Sequence, residues 1–232
     1  MTDKVCLVTG VGPGTGRALV ERFASDYQVA MLARDEQRLT TIEKVVENTH
    51  AFPCDVTDEA QLARVLDAVS SRLGQPSVVI HNAVGGARGD FLSIDPEVLQ
   101  RNFDVNVMAF LRLARAVAPA MVERGEGAIL ATGNTAAYRG VARFAGFAPT
   151  KAAQRVLAES MARHLGPQGV HVAYVAIDAV IDLPWTRRLW PDEADGFFCK
   201  PADIAGECWH IAHQPPSAWT FDVKIRPHGE KW

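Results

Sequence analysis

The chain has 232 residues, of which 48% are hydrophobic, and this is enough for one domain with a well-buried core. Its 24 Lys and Arg residues nearly balance 27 Asp and Glu residues, so charge gives no reason to expect nucleic acid or an anionic membrane as partner. The sequence shows no secretory leader pattern or long apolar run, and its four cysteines lack metal-ligand spacing. We therefore expect a cytoplasmic protein with reduced cysteines, no bound metal and a small-molecule ligand.

Short apolar segments alternate with amphipathic segments, which predicts strands alternating with helices. The predicted strands are residues 5–8, 29–32, 51–53, 78–80, 128–131, 172–177 and 219–225, and the predicted helices are residues 14–24, 39–46, 59–73, 96–123 and 151–165. Strands joined by crossover helices pair in parallel and need cover on both faces. The sequence therefore predicts a single-domain, doubly wound α/β fold with a seven-stranded parallel sheet between two layers of helices.

A cluster of glycines lies between the first predicted strand and the first predicted helix, at residues 10, 12, 14 and 16. Glycine at such a point permits a tight turn and lets the backbone approach a pyrophosphate at the positive end of the helix. Glycines also occur in ordinary turns, but the position of this cluster at the start of a βαβ unit indicates a nucleotide site.

The sequence motif of the cluster, Thr-Gly-x-x-x-Gly-x-Gly at residues 9–16, resembles that of the short-chain dehydrogenase/reductase family. Later motifs agree: residues 81–84, His-Asn-Ala-Val, resemble the family's Asn-Asn-Ala-Gly, and Asn106 matches its active-site asparagine. The resemblance covers nearly the whole chain and implies a Rossmann fold and a homodimer or homotetramer. It also implies a nicotinamide dinucleotide held by Gly10, Gly14, Thr15, Gly16, Asp55, Val56 and Asn82.

The end of the second predicted strand bears on the choice between NAD and NADP, since an acid there binds the adenosine ribose in NAD enzymes. Matched to the family's pattern, Ala33 takes that acidic position and Arg34 follows it. A guanidinium at this point suits the 2′-phosphate of NADP. The alternatives are that Asp35 is the ribose acid of an NAD enzyme, or that both charges are merely solvated. We expect NADP, bound in part by Arg34.

The family's reductases protonate the substrate with the tyrosine of a Tyr-x-x-x-Lys motif and bind the carbonyl with a serine upstream. Lys151 matches the lysine, which holds the nicotinamide ribose, but Phe147 and Asn134 stand at the tyrosine and serine positions. Phenylalanine cannot supply the general acid, which contributes about 10²–10⁴-fold in rate. The amide of Asn134 can still donate a hydrogen bond to a carbonyl oxygen. With Asn106 and Lys151 retained, the resemblance implies an atypical catalytic site.

Two residues are candidates to compensate for the missing tyrosine. Tyr138 lies in a loop just beyond Asn134, but no lysine stands four residues after it. Asp178 follows the sixth strand, so its carboxylate would face the ligand crevice, unless it only caps a turn. In one interpretation, water or Tyr138 protonates an alkoxide held by Asn134. In the other, the substrate is an iminium or another electron-poor group that needs no proton, and Asp178 balances its charge.

These residues predict an NADP(H)-dependent oxidoreductase that transfers hydride to or from a small carbonyl, imine or similar substrate. The alternative is a catalytically silent NADP-binding sensor or subunit, because Lys151 and Asn106 could serve cofactor binding or structure alone. Retention of Asn106 favours the enzyme, since a binding module has less need of it than of the lysine.

The last part of the chain, about residues 182–232, is rich in proline and contains every tryptophan. Tryptophans are frequent in ligand pockets and in subunit interfaces, and they also bury much area in ordinary cores. We expect this segment to cover the substrate, to contact another subunit or to pack in the core. Its tryptophans are Trp185, Trp190, Trp209, Trp219 and Trp232.

Overall fold

The computed structural model describes residues 3–230 and contains one large parallel sheet. Its strands are β1 (Val5–Thr9), β2 (Gln28–Ala33), β3 (Thr49–Pro53), β4 (Val78–His81), β5 (Gly127–Gly133), β6 (Val170–Ile177) and β9 (Asp222–Ile225), and a separate parallel pair is formed by β7 (Val180–Ile181) and β8 (Phe198–Cys199). The order across the sheet is β3-β2-β1-β4-β5-β6-β9. The predicted seven-stranded parallel sheet is confirmed, and the order reverses between β1 and β4, where such sheets form their ligand crevice.

Helices cover both faces of the sheet, as predicted. One core contains the apolar sides of α1 (Thr15–Phe23), α2 (Glu36–Glu43) and α8 (Pro201–Ala212). The other core contains those of α3 (Glu59–Leu73), α5 (Ala109–Arg124) and α6 (Ala148–Leu165). Because both faces are covered, the central strands read as continuous apolar runs: β6 is buried at every position.

The predicted helix over residues 96–123 contains a local change of winding. It consists of α4 (Pro96–Phe103), a π-helical segment (Asp104–Met108) and α5. A π turn shifts the register of the helical hydrogen bonds, so neighbouring carbonyl oxygens become available to side chains. This segment carries Asn106, and it lies beside the carboxyl edge of the sheet through its contacts with the loop after β4.

The same helix bears on the expectation that no segment spans a membrane. By length and composition, Pro96–Arg124 could cross a membrane, with a mean hydropathy of 1.4 in its most apolar window. Phe110, Leu113 and Val117 on this helix are buried in the core against the sheet, which is the position of an internal helix. Packing within the domain thus accounts for part of the apolar composition, since 39% of that window is buried.

The proline-rich segment forms β7, a short helix α7 (Pro184–Leu189), β8, α8 and β9. Trp209 lies against Arg22, and Trp219 stacks on His171 with ring centroids 4.9 Å apart. Trp185, on α7, is 53% exposed, whereas Trp232 lies outside the described residues. Two tryptophans thus serve packing, and a role of α7 in covering the substrate or contacting a subunit stays a prediction.

Candidate active site

Two glycines shape the turn between β1 and α1. Gly10 has a φ of 71°, and a Cβ atom on it would lie 2.5 Å from the backbone of Ala83. A Cβ atom on Gly16 would lie 2.4 Å from the carbonyl oxygen of Gly10. Any side chain at either position would therefore collide with backbone. The close approach brings the start of α1 to the carboxyl ends of β1 and β4.

Asn82 supports this turn from the neighbouring strand. Its amide nitrogen donates to the carbonyl oxygen of Gly10 at 2.9 Å, and its amide oxygen accepts the hydroxyl of Thr132 at 3.0 Å. One side chain thus joins the ends of β1, β4 and β5. Asn82 lies behind the glycine turn and fixes its position.

The start of α1 has the properties of an anion site. The first N–H groups of a helix have no intrahelical acceptor and lie at the positive end of its dipole. Thr15, in the first turn, has a buried hydroxyl without a hydrogen-bond partner among residues 3–230. A pyrophosphate oxygen here would accept from both groups. Gly10, Gly14, Thr15 and Gly16 therefore fit the expected dinucleotide.

At the end of β2, the carboxylate of Asp35 is already engaged. It caps α2 by accepting the backbone N–H of Arg38 at 2.9 Å, and it pairs with the Arg38 guanidinium at 2.8 Å. The neighbouring Arg34 is exposed. A cavity beside the glycine turn is lined by Asp35, Arg38, Arg17 and Pro13. Both arginines that line this cavity are paired with carboxylates, Arg38 with Asp35 and Arg17 with Glu21.

Asp55 follows β3 and forms a turn with Thr57. Its Oδ1 accepts the Thr57 N–H at 3.0 Å and the Thr57 hydroxyl at 2.7 Å. Partial burial raises the pKa of Asp55, but these hydrogen bonds and the charge of Arg34 outweigh burial, so the pKa lies below its usual value. Val56, next to it, is buried. The carboxylate is therefore ionised at neutral pH and held in a fixed turn.

Asn106 is fully buried, and its side chain links two segments of the site. Its amide oxygen accepts the N–H of Gly85 at 2.9 Å. Its amide nitrogen donates to the carbonyl oxygen of Gly85 at 2.7 Å and to the hydroxyl of Thr150 at 2.8 Å. Because both amide N–H groups are used, Asn106 connects the loop after β4 to the first turn of α6.

Lys151 is directed into the protein and is 2% exposed. Its Nζ donates to the carbonyl oxygen of Thr132 at 3.2 Å and to Oε1 of Gln154 at 2.8 Å. The Phe147 ring centroid lies 5.9 Å from the same Nζ. Burial disfavours the ammonium and lowers the pKa of Lys151 to about 7.

Asn134 and Asp178 come together at the carboxyl edge of the sheet. The amide oxygen of Asn134 accepts the N–H of Ala136 at 3.0 Å, while its amide nitrogen donates to no atom of residues 3–230. Asp178 follows β6 and accepts the hydroxyl of Thr135, the residue after Asn134, at 2.8 Å. A hydrogen-bond donor and a carboxylate thus lie on adjacent loops at this edge, and their place in a common site with Phe147 and Lys151 stays a prediction.

Tyr138 is poorly suited to replace the missing acid. Its hydroxyl donates to Asp222 on β9, which also pairs with Arg155 at 2.6 Å. Burial and the Asp222 carboxylate raise the pKa of Tyr138 far above its ordinary value. A phenol whose pKa is raised and whose hydroxyl donates to a carboxylate is a weak proton donor to a substrate. The interpretation that Tyr138 is the proton donor therefore loses support.

Two buried side chains at the site were not identified from the sequence. His81 stands at the end of β4, where Nδ1 faces the Thr9 hydroxyl and Nε2 faces the Val105 carbonyl oxygen at 3.1 Å. A carbonyl only accepts, so Nε2 carries the proton. Burial and then the charge of Lys151 lower the pKa of His81 to about 3, so it is neutral. The second is Gln154, which lies three residues after Lys151 and therefore on the same helix face.

No group of three or more potential metal ligands occurs within residues 3–230. The parallel sheet and the glycine turn at its switch point define a Rossmann-fold protein. The family model described as short chain dehydrogenase matches residues 4–192. The chain belongs to the short-chain dehydrogenase family.

Known relatives differ in the share of their length that is matched. The mouse epidermal retinol dehydrogenase 2 is 31% identical over 167 residues, which are 69% of this chain but only 54% of that protein. The 7alpha-hydroxysteroid dehydrogenase of Escherichia coli K12 is 29% identical over 78% of this chain and 72% of its own. The crystal structure of a metagenomic short-chain oxidoreductase in complex with NADP has a TM-score of 0.84, with 25% identity and 97% of each chain covered.

Proposed function

We propose that this protein is an NADP(H)-dependent oxidoreductase that transfers hydride to or from a small carbonyl, imine or similar substrate. The observation that carries the cofactor choice is the engagement of Asp35 as a helix cap and as the partner of Arg38. That carboxylate is the alternative ligand for the ribose diol of NAD, and Arg34 beside it suits a 2′-phosphate. The relative solved with NADP supports the same choice.

Each part of the cofactor has matching residues in this chain. NADPH, when bound, supplies the hydride, and the chain supplies orientation and electrostatics. The pyrophosphate would lie at the start of α1, the adenine beside Asp55 and Val56, and the nicotinamide ribose against Lys151. The full set proposed for binding is Gly10, Gly14, Thr15, Gly16, Arg34, Asp55, Val56, Asn82 and Lys151.

The proposed catalytic group is Asn106, Asn134, Phe147, Lys151 and Asp178. The Asn134 amide nitrogen orients the electrophile, because it is the donor that no described residue uses. Asp178, held by Thr135, faces the same edge and favours a cationic substrate. Phe147 provides no proton, and the Tyr138 hydroxyl is bound to Asp222. We therefore favour hydride transfer to an iminium or similar group over reduction of simple ketones.

Phe147 in place of the acid and the binding of the Tyr138 hydroxyl to Asp222 also favour a second candidate function, a catalytically silent NADP-binding sensor or subunit. Neither Phe147 nor Tyr138 can serve as the acid, while all the proposed cofactor ligands are retained. A silent protein needs Lys151 for the ribose and needs Asn134 for nothing beyond capping its own turn. The two functions therefore share the cofactor site and differ in whether the bound cofactor reacts.

The test has two stages. Calorimetry with NADP⁺ and NAD⁺ should show at least tenfold tighter binding of NADP⁺, a difference of about 1.4 kcal/mol. Equal affinities would contradict the cofactor proposal and return Asp35 to the role of ribose ligand. Stopped-flow oxidation of NADPH is then followed with ketones, aldehydes and preformed iminium salts. Turnover of any substrate class supports the enzyme, whereas tight NADP binding without turnover of any class supports the silent alternative.

The assembly stays a prediction. The family resemblance implies a homodimer or homotetramer in the cytoplasm, formed through the long helices that carry Asn106 and Lys151. Sedimentation of the purified protein at micromolar concentration would measure its mass directly, and a monomer would contradict this expectation.

A further inference from the structure

The buried side of α6 carries a chain of hydrogen bonds that the proposed function does not use. Thr150 and Gln154 are both 0% exposed, and Lys151 between them is 2% exposed. Gln154 uses both ends of its amide: Oε1 accepts from Lys151 Nζ at 2.8 Å, and Nε2 donates to the carbonyl oxygen of Asn106 at 2.7 Å. A buried polar side chain satisfied at both ends is costly to remove and specifies one arrangement.

The Asn106 carbonyl belongs to the π-helical segment, where two successive carbonyl oxygens are held by side chains from other elements. Gln154 on α6 binds that of Asn106, and His81 on β4 binds that of Val105 at 3.1 Å. Such bonds compensate for the altered register of a π turn. Gln154 thus contacts the helical distortion and the lysine at once.

We propose that Gln154 is a positioning residue that fixes the Lys151 ammonium and ties it to the π-helical segment bearing Asn106. An ammonium has three N–H donors, and here two are used by Thr132 and Gln154. One N–H is left to meet a ligand, and its direction is set by the other two. This inference rests on the proposed role of Lys151 in cofactor binding.

The same contact has a consequence for proton supply. The Gln154 amide bridges Nζ and the Asn106 carbonyl oxygen, in hydrogen-bond contact with each. A primary amide neither gives nor takes a proton near neutral pH. This contact therefore carries no proton between Lys151 and the π-helical segment.

The test compares two substitutions of near-equal size. Gln154→Met removes both hydrogen bonds, whereas Gln154→Glu keeps an acceptor beside Nζ, adds a charge and loses only the donor to the Asn106 carbonyl oxygen. Gln168→Met is the matched control, because Gln168 follows the same helix and bonds only to the His164 carbonyl oxygen on the surface. NADP⁺ affinity is measured by calorimetry from pH 6 to 9. In the ligand-free proteins, the titration of Lys151 is followed by NMR of labelled lysine side chains.

We expect Gln154→Met to weaken NADP⁺ binding about tenfold at pH 7, and Gln154→Glu to bind nearly as well as the unmodified protein. In the NMR titration, the carboxylate of Gln154→Glu should move the Lys151 midpoint to higher pH by at least one unit, because it favours the ammonium. His81 is the titratable group that senses Lys151, and it stays neutral over this range. Gln168→Met should change neither measurement.

A role limited to packing predicts a different result. Both variants would then lose thermal stability while the Lys151 midpoint and the affinity of the folded protein stayed unchanged, and this would overturn the proposal. If the unmodified protein binds neither NADP⁺ nor NAD⁺, the proposed function fails. The NMR titration still decides in that case, since it detects the contact between Gln154 and Lys151 without any nucleotide.

Discussion

Replacing Lys151 by methionine should change how the stability of this protein depends on pH. The lysine is 2% exposed, no carboxylate of residues 3–230 pairs with it, and burial lowers its pKa from 10.5 to about 7. Between these two values the unfolded chain binds a proton that the folded protein does not. Stability therefore rises with pH in this window, by up to about 1.4 kcal/mol per pH unit.

The size of the change in unfolding free energy follows from the pKa of the folded lysine, at which half of the folded molecules carry the proton. From pH 7 to 9, the unmodified protein should gain about 2 kcal/mol of unfolding free energy relative to Lys151→Met. Cys6 and Cys208 are buried thiols with raised pKa values, and both proteins contain them. Their contribution to the pH dependence of the unfolding free energy therefore cancels in the comparison. The contributions of His50 and His171 cancel in the same way, and burial keeps both residues neutral above pH 7.

The assay is urea denaturation at half-unit pH steps, followed by tryptophan fluorescence. Lys44→Met is the control, because Lys44 lies exposed at the end of α2 and should leave the pH slope of the unmodified protein intact. A stability difference between Lys151→Met and the unmodified protein that stays constant from pH 7 to 9 would refute the reasoning. It would mean that the lysine keeps its charge in the folded state at little cost.

Three further predictions concern the proposed site. Arg34→Ala should remove most of the preference for NADP⁺ over NAD⁺ in calorimetry, and an unchanged ratio would mean that other cations bind the 2′-phosphate. Phe147→Tyr should create ketone reduction measurable by NADPH oxidation, because Lys151 already stands four residues on; no gain in a folded variant would argue against this geometry. Asp178→Asn should slow the reduction of a cationic iminium more than that of a neutral aldehyde, and equal effects on both would contradict charge balancing.

The sheet could be predicted from the sequence because its central strands are buried on both faces. β1 and β6, for example, are buried at every position and mostly apolar, and the helices between strands show one apolar side. The glycine turn was also predictable, since only steric needs of the backbone place Gly10 and Gly16 where they are. Local chemistry decides both features, so a single sequence is sufficient.

The role of Asp35 shows where local patterns compete. An aspartate before a helix predicts a cap, and an acid at the end of the second strand predicts a ribose ligand. The sequence alone left both interpretations open. In the structure, the cap and the ion pair with Arg38 engage the carboxylate, because α2 begins at the very next residue.

Other features depend on contacts between distant parts of the chain. Tyr138 and Asp222 are 84 residues apart in sequence, and their hydrogen bond exists only because the loop after β5 reaches the last strand. The link between Gln154 and the Asn106 carbonyl depends on the π-helical segment, for which the apolar pattern of the long helix gives no signal. Neither contact could be predicted without the fold.

The contacts of Tyr138 with Asp222 and of Gln154 with Asn106 affect the proposed site in addition to Phe147, which stands at the family's tyrosine position. Phe147 removes the acid, the Asp222 carboxylate binds the nearest phenol, and Gln154 bridges the lysine and the Asn106 carbonyl. Neither phenylalanine nor the bound phenol can thus deliver a proton, whereas the proposed roles of Asn134 and Asp178 supply a donor and a negative charge. An electrophile that brings its own positive charge loses it on accepting hydride and needs no acid. We infer that selection of such a substrate is a property of the whole site, so Phe147→Tyr alone should restore only part of an ordinary carbonyl reductase rate.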